Sequence, residues 1–155
     1  MGRDQVLFEF YLQTGCRLSE VRNLNVGDVK NKTMIRIIGK GGKQREVFLS
    51  ENLQGMIADP IGKRKDKDPL FKSQKGNRLC SGQIGYSFKP YCGKAGIPPL
   101  SVHSLRHPFG TILYSKTKDL RLTQELLGHS FPQMTMKYSH INQASKQEVI
   151  TALWG

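Results

Sequence analysis

Acidic residues are scarce: 12 Asp and Glu stand against 24 Lys and Arg in 155 residues, a formal charge of +12. That imbalance points to a polyanionic partner. Cysteine is scarce too. The three cysteines, Cys16, Cys80 and Cys92, are odd in number and lack Cys-x-x-Cys spacing. This excludes a disulfide framework and a zinc cluster, and reads as reduced thiols in a cytosolic protein. Apolar runs extend over only a few residues, far short of the ~20 needed to cross a bilayer. Met1-Gly2-Arg3-Asp4 has no signal-peptide pattern, and no internal repeat is visible. The 37% hydrophobic residues arrive in periodic groups, which excludes intrinsic disorder, and the length suits one domain.

The periodicity predicts a mainly α chain with one small antiparallel sheet, an α+β fold. Val6, Leu7, Phe10 and Tyr11 recur at helical spacing over 3–14, and Gly15 follows as a stop. A short helix is expected from Ser19, as N-cap, to Leu24. Residues 33–38 are rich in β-branched side chains and 44–49 alternate apolar with polar. The glycine-rich stretch Gly39-Lys40-Gly41-Gly42-Lys43 joins them as a hairpin loop. Further helices are expected over 50–58, 81–95, 103–115, 119–127, 132–139 and 143–153. The charge run Lys63-Arg64-Lys65-Asp66-Lys67-Asp68 reads as part of a solvated loop over 59–69.

Chemistry concentrates in a few frames. His103 and Arg106 lie three apart in Ser101-Val102-His103-Ser104-Leu105-Arg106-His107, hence on one helix face. Such a pair can hold a phosphate, Arg as a fixed-charge fork and His as a proton donor or acceptor. His103 and His107 lack the acidic residue of a zinc helix, and Arg106 between them would repel a cation, so no metal is expected. Leu126-Leu127-Gly128-His129 ends a helix, and Tyr138 follows nine residues after His129. Upstream stand Thr14-Gly15-Cys16-Arg17-Leu18-Ser19-Glu20 and the Lys40 loop. That loop fails the Walker pattern, so no nucleotide site is read there.

Taken together and in this order, these frames resemble the catalytic domain of the tyrosine recombinases, the family of phage integrases and Xer-type resolvases. The resemblance runs from about Arg3 to His140. It implies an active site of Arg17, Lys40, His103, Arg106, His129 and the nucleophile Tyr138, supported by Glu20. The implied reaction is attack of the Tyr138 phenolate on a DNA phosphodiester, giving a 3′-phosphotyrosyl link and a free 5′-hydroxyl. A phenol with a pKa of about 10 needs a base or cationic surroundings to ionise. His103 is suited to accept its proton. Arg17, Arg106 and His129 are suited to bind the non-bridging oxygens of the phosphorane. Lys40 would protonate the leaving oxygen, with Lys43 as its rival. Neither metal nor ATP is required, so no cofactor is expected.

The stretch 63–94 holds nine Lys and Arg and two acids. Its Lys72, Lys75, Arg78 and Lys89, with Arg36, Lys43 and Arg45 of the hairpin, are candidates for backbone contacts along a duplex. Double-stranded DNA is thus the expected partner, in a cytoplasmic, DNA-associated protein without membrane attachment. No base-reading motif is visible.

The resemblance also brings departures. Family members carry an N-terminal core-binding domain, and the chain begins almost at the helix before Arg17. Residues 1–155 are therefore expected to be a single catalytic domain without its first helix or clamp, with apolar surface left exposed. Pro108 stands where the family has Thr or Ser; the helix is expected to start near Ser104 and to lose one backbone bond. The C-terminal segment, anchored by Leu153 and Trp154, would dock on a neighbouring protomer or on its own chain. The alternatives are a DNA-binding fragment without catalysis and a type IB topoisomerase-like activity.

Overall fold

The computed structural model describes residues 2–128 and 143–155. Helix α1 (Arg3–Thr14) buries Val6, Leu7, Phe10 and Tyr11 on one stripe. It ends at Gly15, whose φ of +58° lets its N–H close on Tyr11 O. A Cβ there would also meet Phe109 Cδ1 at 2.5 Å, so glycine is required twice over. Helix α2 (Leu18–Asn23) starts at Arg17 rather than at Ser19. The reason is Glu20: its Oε2 accepts the Arg17 backbone N–H at 2.7 Å and draws the first turn back by two residues. A short helix α3 (Val26–Val29), unmarked by any periodicity, follows.

Strands β1 (Met34–Ile38) and β2 (Gln44–Phe48) pair antiparallel, with Ile35 opposite Val47 and Ile37 opposite Arg45. Ile35, Ile37 and Val47 are buried and Arg36 is exposed, the alternation of a half-covered ribbon. A 3-10 turn at Lys40–Gly42 makes the connection. Helix α4 (Glu51–Ile61) extends three residues beyond the expected 58, carrying Pro60 in its last turn. Its cap, Ser50, accepts from Leu53 N–H and donates to Gln13 Oε1 at 2.7 Å, tying α4 to α1. Helix α5 (Ser81–Lys94) agrees with the expected span.

A 3-10 turn (Val102–Leu105) leads into α6 (Arg106–Thr117). The helix thus begins two residues later than expected, and Pro108 becomes its third residue. Proline is tolerated in a helix's first turn, and α6 runs through Pro108 without interruption. Helix α7 (Leu120–Leu127) is capped by Asp119 and closes at Gly128, φ +66°. Helix α8 (Gln143–Trp154) ends the chain. The expected helix over 132–139 lies outside the described residues.

The buried residues form two clusters. The larger joins α1, the sheet, α4 and α5. The smaller gathers Phe48, Phe109, Leu113, Leu122, Leu126, Leu127 and Ile150, with Val149, Leu153 and Trp154 packed against it. Strand β2 joins them, since Val47 belongs to the first and Phe48 to the second. Among the described residues no helix is long and apolar enough to cross a membrane.

Candidate active site

Glu20 organises the site. Its side chain is 1% exposed and holds two arginines at once: Arg17 Nη1 lies 3.0 Å from Oε1 and Arg45 Nη2 lies 2.9 Å from Oε2. Burial alone would push the Glu20 carboxyl up. The hydrogen bond and charge of Arg45, joined by Arg17, outweigh it and hold the group below the ordinary glutamate value. Glu20 is therefore an anion at neutral pH, with a fixed guanidinium on each oxygen.

The arginines reach on from Glu20 to the end of α7. Arg17 Nη2 donates to Gly128 O at 3.4 Å, and Arg45 Nη1 donates to Leu126 O at 2.7 Å. Arg106, at the start of α6, donates to Gly15 O at 2.9 Å and to Leu127 O. Burial, then the positive charge of Arg17 and Arg45, pushes Arg106 down to about 10, so it stays charged at neutral pH. Three guanidinium groups thus converge on the carbonyls where the chain leaves α7. Arginine carries five N–H donors, so Arg17 and Arg106 keep donors for an anion after these bonds are made. Cys16 sits among them, its Sγ 3.5 Å from Arg45 Nη2; burial pushes its thiol up and keeps it neutral.

A cleft of about 720 Å³ opens over this cluster. Arg17, Arg36, Lys43, Arg45 and Lys146 line it, against Glu20, Glu46 and Glu125, so its walls are net positive. The hairpin closes one side, where a Cβ on Gly39 would stand 3.3 Å from Glu20 Oε1. Arg106 borders a second groove, of about 430 Å³, between α6 and α7. Arg17, Arg106 and the exposed cations along the cleft can neutralise a phosphodiester and hold its oxygens in a fixed geometry.

The structure brings Arg17, Glu20 and Arg106 together around the end of α7. His103 is exposed in the 3-10 turn, one turn before Arg106, and its backbone carbonyl accepts the Arg106 N–H. His129, Tyr138 and the side chain of Lys40 lie outside the described residues. Lys43 is exposed and lines the cleft.

The candidates for duplex backbone contact divide. Arg36 is 68% exposed, facing Glu46 across the ribbon. Lys75 is exposed at a turn, and Lys89 lies over the exposed Tyr86 ring. Lys72 pairs with Asp68 at 3.1 Å. Arg78 is turned inward, onto the carbonyls of Arg22 and Leu24 and onto Asn25 Oδ1. Arg45 is 10% exposed and committed to Glu20. One signal for Arg45 was present in the sequence. It is two residues before Val47 on a strand, so period-2 alternation places it on the buried face. Lys146, from α8, was missed altogether; it reaches the cleft beside Glu125.

Comparison with known proteins gives the family and the fold. The model of the phage integrase family matches residues 2–145. The tyrosine recombinase XerC of Caldanaerobacter subterraneus subsp. tengcongensis is 33% identical over 156 residues, covering 96% of this chain and 44% of the relative. The tyrosine recombinase XerD of Neisseria meningitidis serogroup A is 36% identical, over 96% of this chain and 54% of the relative. Among solved structures, the XerH site-specific recombinase bound to its difH substrate, in a pre-cleavage complex, aligns with TM-score 0.68 and 30% identity, over 94% of this chain and 45% of that one. The XerA recombinase aligns with TM-score 0.73 and 28% identity, over 97% and 56%. This chain belongs to the phage integrase family, and its fold is that of a tyrosine recombinase catalytic domain. It spans about half the length of the curated relatives it matches.

Proposed function

We propose that this chain is the strand-cleaving domain of a site-specific DNA recombinase, acting on duplex DNA through a 3′-phosphotyrosine intermediate. The observation that carries the reading is the convergence of Arg17, Arg45 and Arg106 around buried Glu20, beside a positively lined cleft. The XerH site-specific recombinase is bound to its difH substrate in a pre-cleavage complex, and the +12 charge and positively lined cleft support duplex DNA as the substrate of this chain.

In the proposed step Tyr138 Oη attacks the phosphorus and the bond to the 5′-oxygen breaks. The phenolic proton passes to His103, and the leaving 5′-oxygen takes a proton from Lys40. Arg17, Arg106 and His129 hold the non-bridging oxygens as charge builds on them. Preorganised arginines carry that charge well because they arrive already paired and desolvated, so little reorganisation is left for the moment of reaction. A 5′-hydroxyl from a second strand reverses the step, and the diester energy is conserved in the tyrosyl link. Arg36, Lys43 and exposed lysines such as Lys75 and Lys89 hold the duplex by its phosphates. The active assembly is a homo-oligomer on DNA, in the cytoplasm; helix α8 itself packs on its own chain through Ile150, Leu153 and Trp154.

The test is covalent capture. A pool of nicked duplexes with randomised sequence is incubated with the protein in the presence of a chelator, then denatured. Wild type is expected to retain DNA strands, and Tyr138→Phe none. An adduct formed by the Phe variant would remove Tyr138 from its role. DNA binding without any adduct in wild type would favour the non-catalytic alternative.

A further inference from the structure

Arg45 is absorbed by neither task assigned to the basic residues. It reaches no exposed phosphate track, being 10% exposed, and the conserving of charge on a scissile phosphate is already assigned to Arg17 and Arg106. Yet it bonds three separate parts of the site at once. From β2 it bonds Glu20 Oε2 at 2.9 Å, Leu126 O at 2.7 Å and Cys16 Sγ at 3.5 Å. Its stem runs under Gly128, where an added Cβ would collide with Arg45 Cδ and stand 3.0 Å from Nε. One planar fork therefore joins the hairpin that carries Lys40, the loop and helix that carry Arg17, and the end of α7 that leads into His129.

We propose that Arg45 is a positioning residue for strand cleavage: it locks Glu20 against Arg17 and fixes the end of α7 on the same fork, and it is not a contact to the DNA backbone. The argument is geometric. Arg17 holds both oxygens of Glu20, by its side chain on Oε1 and its backbone N–H on Oε2, but neither bond ties the carboxylate to β2 or to α7. Arg45 adds a second donor to Oε2 and places its other Nη on Leu126 O, so the carboxylate and the helix end cannot shift independently. Only a planar fork spans both acceptors; a lysine ammonium supplies a single point of attachment. Displacement of a phosphate-binding group by about 1 Å is worth roughly 100-fold in rate.

This inference rests on the cleavage reading above, and the experiment separates the two. Single-turnover cleavage at saturating DNA and duplex affinity with its salt dependence are measured for wild type, Arg45→Lys and Arg45→Met, on a nicked duplex recovered in the capture experiment. The expected result is a loss of about 100-fold in the saturating rate for Arg45→Met. Duplex affinity should stay within about threefold and the salt slope unchanged, since no phosphate contact is removed. Arg45→Lys should recover less than about a tenth of the loss, because it cannot hold both acceptors. A salt slope reduced by about one, with the saturating rate intact, would overturn the proposal and return Arg45 to the DNA backbone. If Arg45→Met does not fold, Arg45→Lys decides alone by the same split. If wild type yields no adduct, the cleavage reading fails; the Arg17 side-chain nitrogen resonances of Arg45→Lys then decide this one. A shifted Arg17 signal in a folded variant sustains the positioning role, and an unmoved signal ends it.

Discussion

Glu20 Oε2 accepts the Arg45 guanidinium at 2.9 Å while the same oxygen takes the Arg17 backbone N–H at 2.7 Å. One carboxylate atom thus caps a helix and anchors a strand. The pairing is nearly dry, with Glu20 1% and Arg45 10% exposed. Removing one partner of such a pair leaves an uncompensated charge, which is more damaging than never having built the pair.

Glu20→Gln is accordingly expected to destabilise the fold by about 3 kcal/mol, seen in urea unfolding as a lower midpoint with an unchanged slope. A change below about 0.5 kcal/mol would mean that the arginines find water or other acceptors, and that the carboxylate is dispensable to the fold.

Acid should act through the same group. The folded Glu20 carboxyl titrates below its ordinary value of 4.5, so its stabilisation is complete above 4.5 and is lost as pH falls through the lower, folded value. Thermal unfolding followed from neutral pH downwards should therefore show a stability loss beginning near 4.5 in wild type. Glu20→Gln should flatten part of that limb. An identical acid limb in both proteins would place the proton uptake elsewhere.

Gly128 closes α7 at a φ of +66°, and a Cβ there would run into the Arg45 stem. Gly128→Ala should lower stability by about 1–3 kcal/mol from backbone strain alone, with the collision adding to it. Thermal melts of the two proteins check this. Pairing Gly128→Ala with Arg45→Ala should give less than the sum of the separate losses, since the second change removes the colliding Cδ.

Thiol chemistry gives an inexpensive check of the packing. Cys80 is exposed, whereas Cys16 and Cys92 are buried, and burial keeps the Cys16 thiol protonated. Under native conditions an aromatic disulfide reagent should modify Cys80 quickly and the other two only on unfolding. Fast modification of Cys16 would show that the Arg45–Glu20 cluster opens to solvent.

Much of this was legible in the residues, and what was not has physical reasons. The stripe Val6, Leu7, Phe10, Tyr11 and the stop at Gly15 were readable because burial and φ demand leave direct marks. The hairpin was readable from β-branched residues flanking a glycine loop. The start of α2 was misplaced because Ser19 is a good cap by type, while the deciding bond comes from Glu20 back to Arg17. Helix α3 is a single turn with no room for a period. At the site, the chain order of Arg17, Glu20, His103 and Arg106 was legible through the resemblance. The inward turn of Arg78 was not, since a long cation looks alike in sequence whether it meets water, carbonyls or phosphate.

The two apolar clusters give the site an unequal footing. Arg17 and Glu20 stand on the larger one, whereas Arg106 and the end of α7 belong to the smaller, and polar bonds span the seam between them. The smaller cluster, with fewer buried side chains, is the natural first unit to come loose. Its release would separate the arginines while α1, α4 and the ribbon stay folded. Amide exchange should then find α7 and α8 opening in milder denaturant than α1, with phosphate binding lost at that earlier step. Competence for chemistry would report how firmly one small cluster is seated, well before the molecule as a whole gives way.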